Sequence, residues 1–585
     1  MKKLFPFLLA AAALACNKQL DLPQDGRITL GEVFNDYDYT RGYLNSCYGF
    51  VPGPHVDRSS FTDEAQDCDD ITANSRYRAW YAGDVTASSY AGQSSDGQPW
   101  QRLFEGIRKT NVFLSGIRSA NIVATPEERN SWVAQAHALR GLYYFQLIKR
   151  YGGVPIFDKP LPIGYDFSKD RRAKFSEVVA FIVKECDLAL MVPPGRPGFN
   201  WDIYENQYGI MTRAVAYAVK SQAMLYAASP LWNDGSYSWQ DVAQTTGEAL
   251  GACLSNGYSL FSEVPDAAIA QNGYALYHFI TSNDMRTRDK ETIYHVGGQM
   301  AMWQNAGLPS TPGMTKAGPN PTQEMIDRYE MANGEAPILG YSDADRLVPI
   351  INPASGYDPQ NPYAGRDPRF YASIWYNGAV RRLDQPAGKK IETFVGGTEG
   401  ISEDNRRNTR TGYYIRKFNN WKSAQNANAD GSVRLIRLAE LYLNFAEAAN
   451  QAVGPDAKVT MGAFSMSARE AVNAVRARAG MPAFPAGMSK ETFEKKYRNE
   501  RAVELAFEEH RFFDVRRWRI LQQTDQFVTG MRITKTNDVL SYQRFKFTAR
   551  ASNEDRFLLY PLDQGEADKI RELTGVNWQN PGWNE

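Results

Sequence analysis

Residues that carry metal or redox chemistry are scarce in this chain of 585 residues, which contains only five cysteines and five histidines. So few cysteines over this length exclude a small disulfide scaffold. None of them lies in a CxxC pair, which removes the support for a thiolate zinc site or a redox motif. Their spacing would permit disulfides in an exported protein, but we expect structural cysteines at Cys47, Cys68, Cys186 and Cys253.

The chain also lacks a net charge. It has 66 Lys plus Arg and 66 Asp plus Glu, so no overall basic field exists to attract nucleic acid or an anionic membrane. A hydrophobic fraction of 43% excludes intrinsic disorder. Aromatic residues are abundant instead, with 32 Tyr, 29 Phe and 12 Trp. Tyrosine combines an apolar ring with a polar hydroxyl, which suits a half-hydrated binding surface.

Catalytic motifs are missing as well. The sequence contains no HExxH pair, no GxGxxG, no phosphate-binding loop and no GxSxG. His510 and Asp514 would share one helix face, but Glu508–Arg511 and Asp514–Arg517 pairs at i, i+3 favour a structural role. We therefore predict no catalytic residue, no metal and no cofactor. Two carboxylates for glycoside hydrolysis remain open, because such partners need not be neighbours in sequence.

No hydrophobic run is long enough to cross a membrane as a helix. The apolar run at 4–14 follows Lys2 and Lys3 and is too short to span ~30 Å of hydrocarbon, so residues 1–15 are predicted to be a signal peptide. The small residues before Cys16 resemble a bacterial lipobox, in which this cysteine becomes the lipidated N-terminus. Ordinary secretory cleavage near the same point is the alternative.

Helical periodicity dominates both ends of the chain. Apolar residues recur three and four positions apart, and one of these segments is rich in alanine, which allows close packing as in stacked helical hairpins. The predicted helices cover 131–151, 173–191, 209–229 and 435–449, a segment opened by the Ser467–Glu470 capping box and ending near Gly480, and a long helix from about Ser489 to Trp518.

The middle of the chain lacks this helical periodicity. Between about 255 and 430 the periodicity fades, Gly, Pro and Asn cluster, and short strand-like runs such as Thr292–Val296 appear. Loops of this length are usually functional. We predict a mostly α protein packed as one large domain, helical over 16–254, loop-rich with a few short strands over 255–430, and helical over 431–585.

Several segments in the same order resemble one known family. The lipobox-like start with CNKQLDLPQ, the helix AQAHALRGLYYFQLIKRYGGVPIF and the segment RDPRFYASI are similar to motifs of the SusD/RagB family. These proteins are nutrient-binding outer-membrane lipoproteins of Bacteroidota. The C-terminal third is similar throughout, in IRLAELYLNFAEAAN (436–450), AVNAVRARAG (471–480), RNERAVELAFEEHRFFDVRRW (498–518), FLLYPLDQGE (557–566) and QNPGW (579–583).

This resemblance implies a fold of tetratricopeptide-like helix pairs that carry a loop-rich face. It also implies a cell-surface lipoprotein of the outer membrane that binds an oligosaccharide and delivers it, without catalysis, to a SusC-like TonB-dependent transporter. Peptide capture within the same family is the alternative function, and a glycoside hydrolase is a more distant one. The matched motifs should be structural, including Arg140, Tyr143, Tyr144, Tyr151 and the helix over Glu500–Arg517.

Candidate ligand contacts are sought on aromatic segments outside those helices. A sugar ring offers an apolar face to aromatic rings and a rim of hydroxyls to Arg, Asp, Asn and Gln. The segment SRYRAWY (75–81) lacks helical apolar spacing, and a second aromatic segment precedes the Gly/Pro loop at 307–321. The candidates are Tyr77, Arg78, Trp80, Tyr81, Trp303, Gln304 and Asn305. For each aromatic the alternative is packing beneath a loop, as expected for Trp100 at the start of a helix.

Overall fold

The computed structural model describes residues 28–53, 55–93, 96–195, 197–201, 209–267, 270–279, 288–295, 307–310, 314–381, 390–419 and 434–583. The helices are α1 Leu30–Val33, α2 Tyr37–Cys47, α3 Arg76–Ala82, α4 Tyr90–Gln93, α5 Pro99–Gly116, α6 Pro126–Tyr151, α7 Phe175–Leu190, α8 Arg213–Ala227, α9 Trp239–Ser255, α10 Gly273–Phe279, α11 Gln323–Arg328, α12 Pro368–Ser373, α13 Leu438–Val453, α14 Ala468–Arg478, α15 Lys490–Glu504, α16 His510–Arg517, α17 Leu521–Thr524 and α18 Gln564–Thr574.

The strands are short and pair only two at a time within these residues. They are β1 Ala65–Asp67, β2 Thr292–Tyr294, β3 Pro319–Pro321, β4 Ile338–Tyr341, β5 Pro349–Ile351, β6 Ile374–Trp375, β7 Tyr414–Ile415, β8 Ile436–Arg437, β9 Lys458–Met461, β10 Phe464–Ser467, β11 Thr529–Thr536 and β12 Val539–Lys546.

The long helices pack in chain order. Helix α5 contacts α6, α6 contacts α7, α7 contacts α8 and α8 contacts α9. Helix α9 then contacts α13, although about 180 residues of sequence separate them, and α13 contacts α14 and α15. This is the stacking of tetratricopeptide-like helix pairs, so the predicted fold class is confirmed. The loop-rich middle is an insertion between two helices that touch.

Local sequence sets the limits of α6, a helix of 26 residues in the stack. The Thr125 hydroxyl accepts a hydrogen bond from the Glu128 N–H (3.2 Å), and Pro126 occupies the first helical position. The helix ends at Tyr151 because Gly152 takes a φ of 78°, a backbone region that favours glycine.

The side chains of α6 confirm the packing role expected from its motif. Tyr143, Tyr144 and Tyr151 are buried. The Arg140 guanidinium is also buried and donates two hydrogen bonds to the Glu185 carboxylate of α7, both at 2.8 Å. A buried charge of this kind needs its partner, so the pair fixes α6 against α7.

Two helices, α15 and α16, replace the single helix predicted from Ser489 to Trp518. Phe507 and Glu509 adopt φ values of 61° and 70°, and a right-handed helix cannot continue through that left-handed region. The long prediction was wrong because periodicity on both sides of the break concealed it. The Asp514–Arg517 pair within α16 is confirmed at 2.8 Å.

The predicted Glu508–Arg511 pair was also wrong, because the break turns Glu508 towards the insertion. Its carboxylate lies 2.7 Å from the Lys417 ammonium and 2.8 Å from the Arg437 guanidinium, while Arg511 pairs with Asp63 at 2.8 Å.

Arg437 is the centre of this buried ion network. Its guanidinium also lies 2.8 Å from Glu291 and 2.6 Å from Glu504. Strand β8 of the insertion is thereby joined to α15 and to the break before α16.

The C-terminal third is less helical than predicted. Two hairpins, β9–β10 and β11–β12, lie between its helices. Asn537 and Asp538 close the second hairpin with φ values of 49° and 64°, as a two-residue turn between twisted strands requires. The expectation of structural cysteines is confirmed, since Cys47, Cys68, Cys186 and Cys253 are buried and free of disulfides.

Candidate functional site

The segment SRYRAWY forms helix α3 rather than an open aromatic loop. The Ser75 hydroxyl caps the helix by accepting from the N–H groups of Tyr77 (3.2 Å) and Arg78 (3.4 Å). This helix of seven residues is too short for apolar periodicity to show in sequence, which explains why a loop was expected.

Three of the four contacts expected in this segment are core residues. Trp80 is 1% exposed, and its ring centroid lies 4.5 Å from that of Phe61 and 5.1 Å from that of Phe557. The Tyr77 ring stacks on Phe61, and the buried Tyr81 hydroxyl donates to a backbone carbonyl. A ring enclosed in this way has no free face for a sugar. Tyr77, Trp80 and Tyr81 therefore pack in the core, and their prediction as ligand contacts was wrong.

The other candidates have different outcomes. Arg78 is exposed on α3 and remains a candidate contact. Trp303, Gln304, Asn305 and the proposed lipidation residue Cys16 lie outside the described residues. Trp100 is buried at the start of α5, as expected.

Backbone pairing builds a different polar surface next to α3. Strand β1 pairs with β3, with Ala65 opposite Pro321, so the turn over Cys68–Ile71 lies beside the chain at 314–318. The Cys68 N–H donates to the Gly318 carbonyl (3.1 Å). The loop at 402–410 joins the same surface, because the Ala317 N–H donates to the Arg406 carbonyl (2.9 Å).

We call this surface the polar loop face and define it by Asp69, Asp70, Lys316, Arg406 and Arg410. The Asp69 carboxylate lies 2.7 Å from the Arg406 Nε and 3.3 Å from the Lys316 Nζ. The Asp70 carboxylate accepts a hydrogen bond from the Arg410 Nε at 2.8 Å. Three cations thus hold two carboxylates that come from another part of the chain.

An aromatic ring and an amide complete the face. The guanidinium carbon of Arg410 lies 5.8 Å from the centroid of the half-buried Phe547 ring. The Gln66 side-chain amide donates to the second oxygen of Asp70 at 2.7 Å. Preformed donors and acceptors beside an apolar ring are the groups that a sugar's hydroxyls and CH face require.

Burial tunes the acidic groups beneath this surface. It raises the pKa of Asp70, against the opposing charge of Arg410. It also raises the pKa of Asp67 to about 6, and the pKa of the Cys68 thiol well above its usual range.

The ligand atoms of Asp67, Cys68 and Asp69 lie within 4.8 Å of one another. A metal ion there would compete with Lys316 and Arg406 for Asp69, and the Cys68 sulfur already accepts the Gly318 N–H at 3.1 Å. The arrangement therefore favours hydrogen bonding to a polar ligand over metal coordination.

Most of this face was not predicted from the sequence. The run NRRNTR (405–410) carries three arginines in an Asn-rich loop, and DCDD (67–70) carries three carboxylates. Either run could have been singled out as polar surface. Their pairing could not, because 340 positions separate Asp70 from Arg410.

Comparison with known proteins decides the family. A sequence model described as the SusD family matches residues 279–583, slightly more than half of the chain. The chain belongs to the SusD family. A second family model, described as "Starch-binding associating with outer membrane", matches residues 41–225. No curated protein matches the chain.

Solved structures agree with this membership. A SusD-like protein from Bacteroides fragilis is 26% identical, with a TM-score of 0.74 over 95% of this chain and 100% of its own. A SusD-like carbohydrate-binding protein from the same species is 20% identical, with a TM-score of 0.67 over 92% of this chain and 99% of its own. A laminarin-binding SusD-like protein is 20% identical, with a TM-score of 0.52 over 94% and 100%.

One of the two family descriptions concerns location. The second family description links such chains to the outer membrane. Within the described part of this chain, no helix combines the length and the apolar composition that crossing a bilayer requires.

Proposed function

We propose that this SusD-family chain binds an oligosaccharide at the cell surface and delivers it to a SusC-like TonB-dependent transporter of the outer membrane. The polar loop face is the observation that carries the proposal. It combines arginine, lysine, carboxylate and amide groups with one half-buried aromatic ring. The carbohydrate-binding and laminarin-binding relatives support a glycan as the ligand.

The ion pairs prepare this face for a neutral, hydroxyl-rich ligand. Asp69 and Asp70 are already oriented by Arg406, Lys316 and Arg410. A hydroxyl can accept from a guanidinium and donate to the carboxylate beside it. Because these groups need little further ordering, less of the binding free energy is lost on association.

The same geometry supports capture without cleavage. Glycoside hydrolysis uses two carboxyl groups that flank the scissile bond, commonly about 5–10 Å apart. Asp69 and Asp70 are consecutive on one turn, and each is engaged by an arginine. They cannot approach a glycosidic bond from its two sides, so we propose a binding protein and no enzymatic activity.

Anchoring through a lipid on Cys16, after removal of residues 1–15, completes the proposed arrangement. A lipid anchor would hold the chain at the outer membrane, where the transporter lies. Two or three acyl chains suffice for stable attachment, at about 0.8 kcal/mol per buried CH₂.

The experiment is a binding screen of the purified chain against a panel of polysaccharides, by affinity gel electrophoresis. We expect at least one glycan to retard the migration of the chain in the gel. A parallel titration with a casein-derived peptide should show no binding. Reducing ends measured over time with that glycan should not increase. Binding to the peptide alone would favour the peptide-capturing alternative, and a steady rise in reducing ends would show a hydrolase.

A further inference from the structure

A concavity elsewhere in the described part of the chain shares no residue with the polar loop face. A cleft of about 560 Å³ lies between helix α5, helix α18 and the segment 155–170. This volume is within the usual range for sites that bind small molecules.

The lining of the cleft is apolar and partly open to solvent. Trp100 and Phe104 of α5 face it from one side, and Ile570 and Trp578 from the other. On its rim Ile163 is fully exposed, and Leu573 is 52% exposed. Exposed aliphatic side chains around an aromatic floor are typical of a binding site rather than of ordinary surface.

The charged residues that line this cleft are of both signs: Arg108, Lys159 and Lys569 are cations, and Glu105, Asp170 and Glu566 carry carboxylates. The Asn111 side-chain amide donates to the backbone carbonyls of Phe157 (3.0 Å) and Lys159 (3.2 Å), which holds this backbone against α5. Arg108 precedes Asn111 by three positions on the same helix. Arg108 and Lys159 both line the cleft and are exposed, and neither forms an ion pair within the described residues. By contrast, Glu105 on the same wall accepts a hydrogen bond from Gln101 at 3.1 Å.

We propose that this cleft binds a medium-chain alkyl carboxylate. The alkyl chain would lie between α5 and α18, against the aromatic floor and the aliphatic rim. The carboxylate would lie between Arg108 and Lys159, whose guanidinium and ammonium groups match it in charge and hydrogen bonding. A sugar fits less well here, because most of the exposed surface of the cleft is apolar and would leave many of its hydroxyls without a partner.

The test is isothermal titration calorimetry of the whole chain with sodium decanoate and, separately, with decan-1-ol. We expect saturable binding of decanoate at one site. The double variant Arg108→Gln/Lys159→Gln should bind decanoate about tenfold more weakly or worse, with its affinity for decan-1-ol unchanged. Ile163→Asp should weaken the binding of both ligands. Val123→Asp is the matched control, because Val123 is equally exposed but lies outside the cleft.

All these substitutions are at exposed positions, so melting temperatures should remain close to that of the wild type. Non-saturable decanoate binding, or binding that Ile163→Asp leaves unchanged, would overturn the proposal. Unchanged decanoate affinity in the double variant would overturn the carboxylate assignment. Association with phospholipid vesicles but not with free decanoate would assign the cleft to a membrane lipid instead. If a preparation bound its glycan but not decanoate, the alkyl carboxylate proposal would fail and the proposed glycan-binding function would stand.

Discussion

Replacing Trp80 by alanine should lower the denaturant concentration at which the chain unfolds. We expect this loss of stability to come from the core and not from a ligand site. The side chain is 1% exposed and contacts Phe61, Phe557 and Tyr90, with ring centroids 4.5, 5.1 and 5.6 Å away. Deleting a buried tryptophan side chain of this kind costs about 3–5 kcal/mol of unfolding free energy. Burial at a junction of three rings places Trp80→Ala in the upper part of that range.

Arg78→Ala provides the matched control two positions away on the same helix. Its side chain is exposed, so the free energy of unfolding should change by less than about 0.5 kcal/mol. Trp80→Phe should cost less than Trp80→Ala, because the indole N–H makes no hydrogen bond within the described residues.

Urea unfolding followed by circular dichroism gives the midpoint of each variant, and glycan affinity is measured on the same samples below the transition. If Trp80→Ala kept wild-type stability and lost glycan binding, Trp80 would be a ligand contact and its assignment to the core would be refuted.

Three further predictions concern buried charge and anchoring. Although burial opposes it, Arg437 and Lys417 hold the pKa of Glu508 at about 2. Glu508→Gln should cost about 3–5 kcal/mol at pH 7. It should also make the loss of stability between about pH 4.5 and 2 smaller than in the wild type, as measured by urea midpoints, because the contribution of Glu508 to that loss is gone. Burial raises the pKa of Glu64 to about 8, so ionisation in the unfolded chain lowers wild-type stability as pH rises from about 4.5 to 8. Glu64→Gln should show a smaller decline over this range, and parallel midpoints for the two proteins would contradict the assignment. Cys16→Ser should leave the membrane fraction or accumulate as precursor on immunoblots, whereas wild-type fractionation and migration would rule out the lipid anchor.

The helical stack could be predicted from sequence because its signals are local. The Ser467–Glu470 capping box opens α14 where expected, with the Glu470 N–H donating to the Ser467 hydroxyl at 3.2 Å. Such signals depend on residues three or four positions apart. The break at Phe507 escaped prediction because φ values above zero are uncommon for residues other than glycine, and composition does not reveal them.

The polar loop face could not be predicted for a different reason. Its pairs join residues far apart in sequence, such as Asp69 with Arg406. Whether an aromatic residue lies beneath a loop or upon it also depends on tertiary packing. Trp80 and Phe547 illustrate this, since the first is enclosed by α16 and the 3₁₀ turn Asp555–Leu558, and the second remains half-buried beside Arg410.

The most direct test of the proposed binding face compares two surface arginines. Arg406 is 51% exposed and pairs with Asp69, whereas Arg532 is 42% exposed and pairs with Glu403, which is not among the five residues that define the face. Calorimetric titration with the glycan found in the screen should show that Arg406→Ala binds it at least about tenfold more weakly than the wild type. This corresponds to a loss of about 1.4 kcal/mol of binding free energy. Arg532→Ala should bind like the wild type. Equal affinities for Arg406→Ala, Arg532→Ala and the wild type would contradict the assignment of glycan binding to the polar loop face.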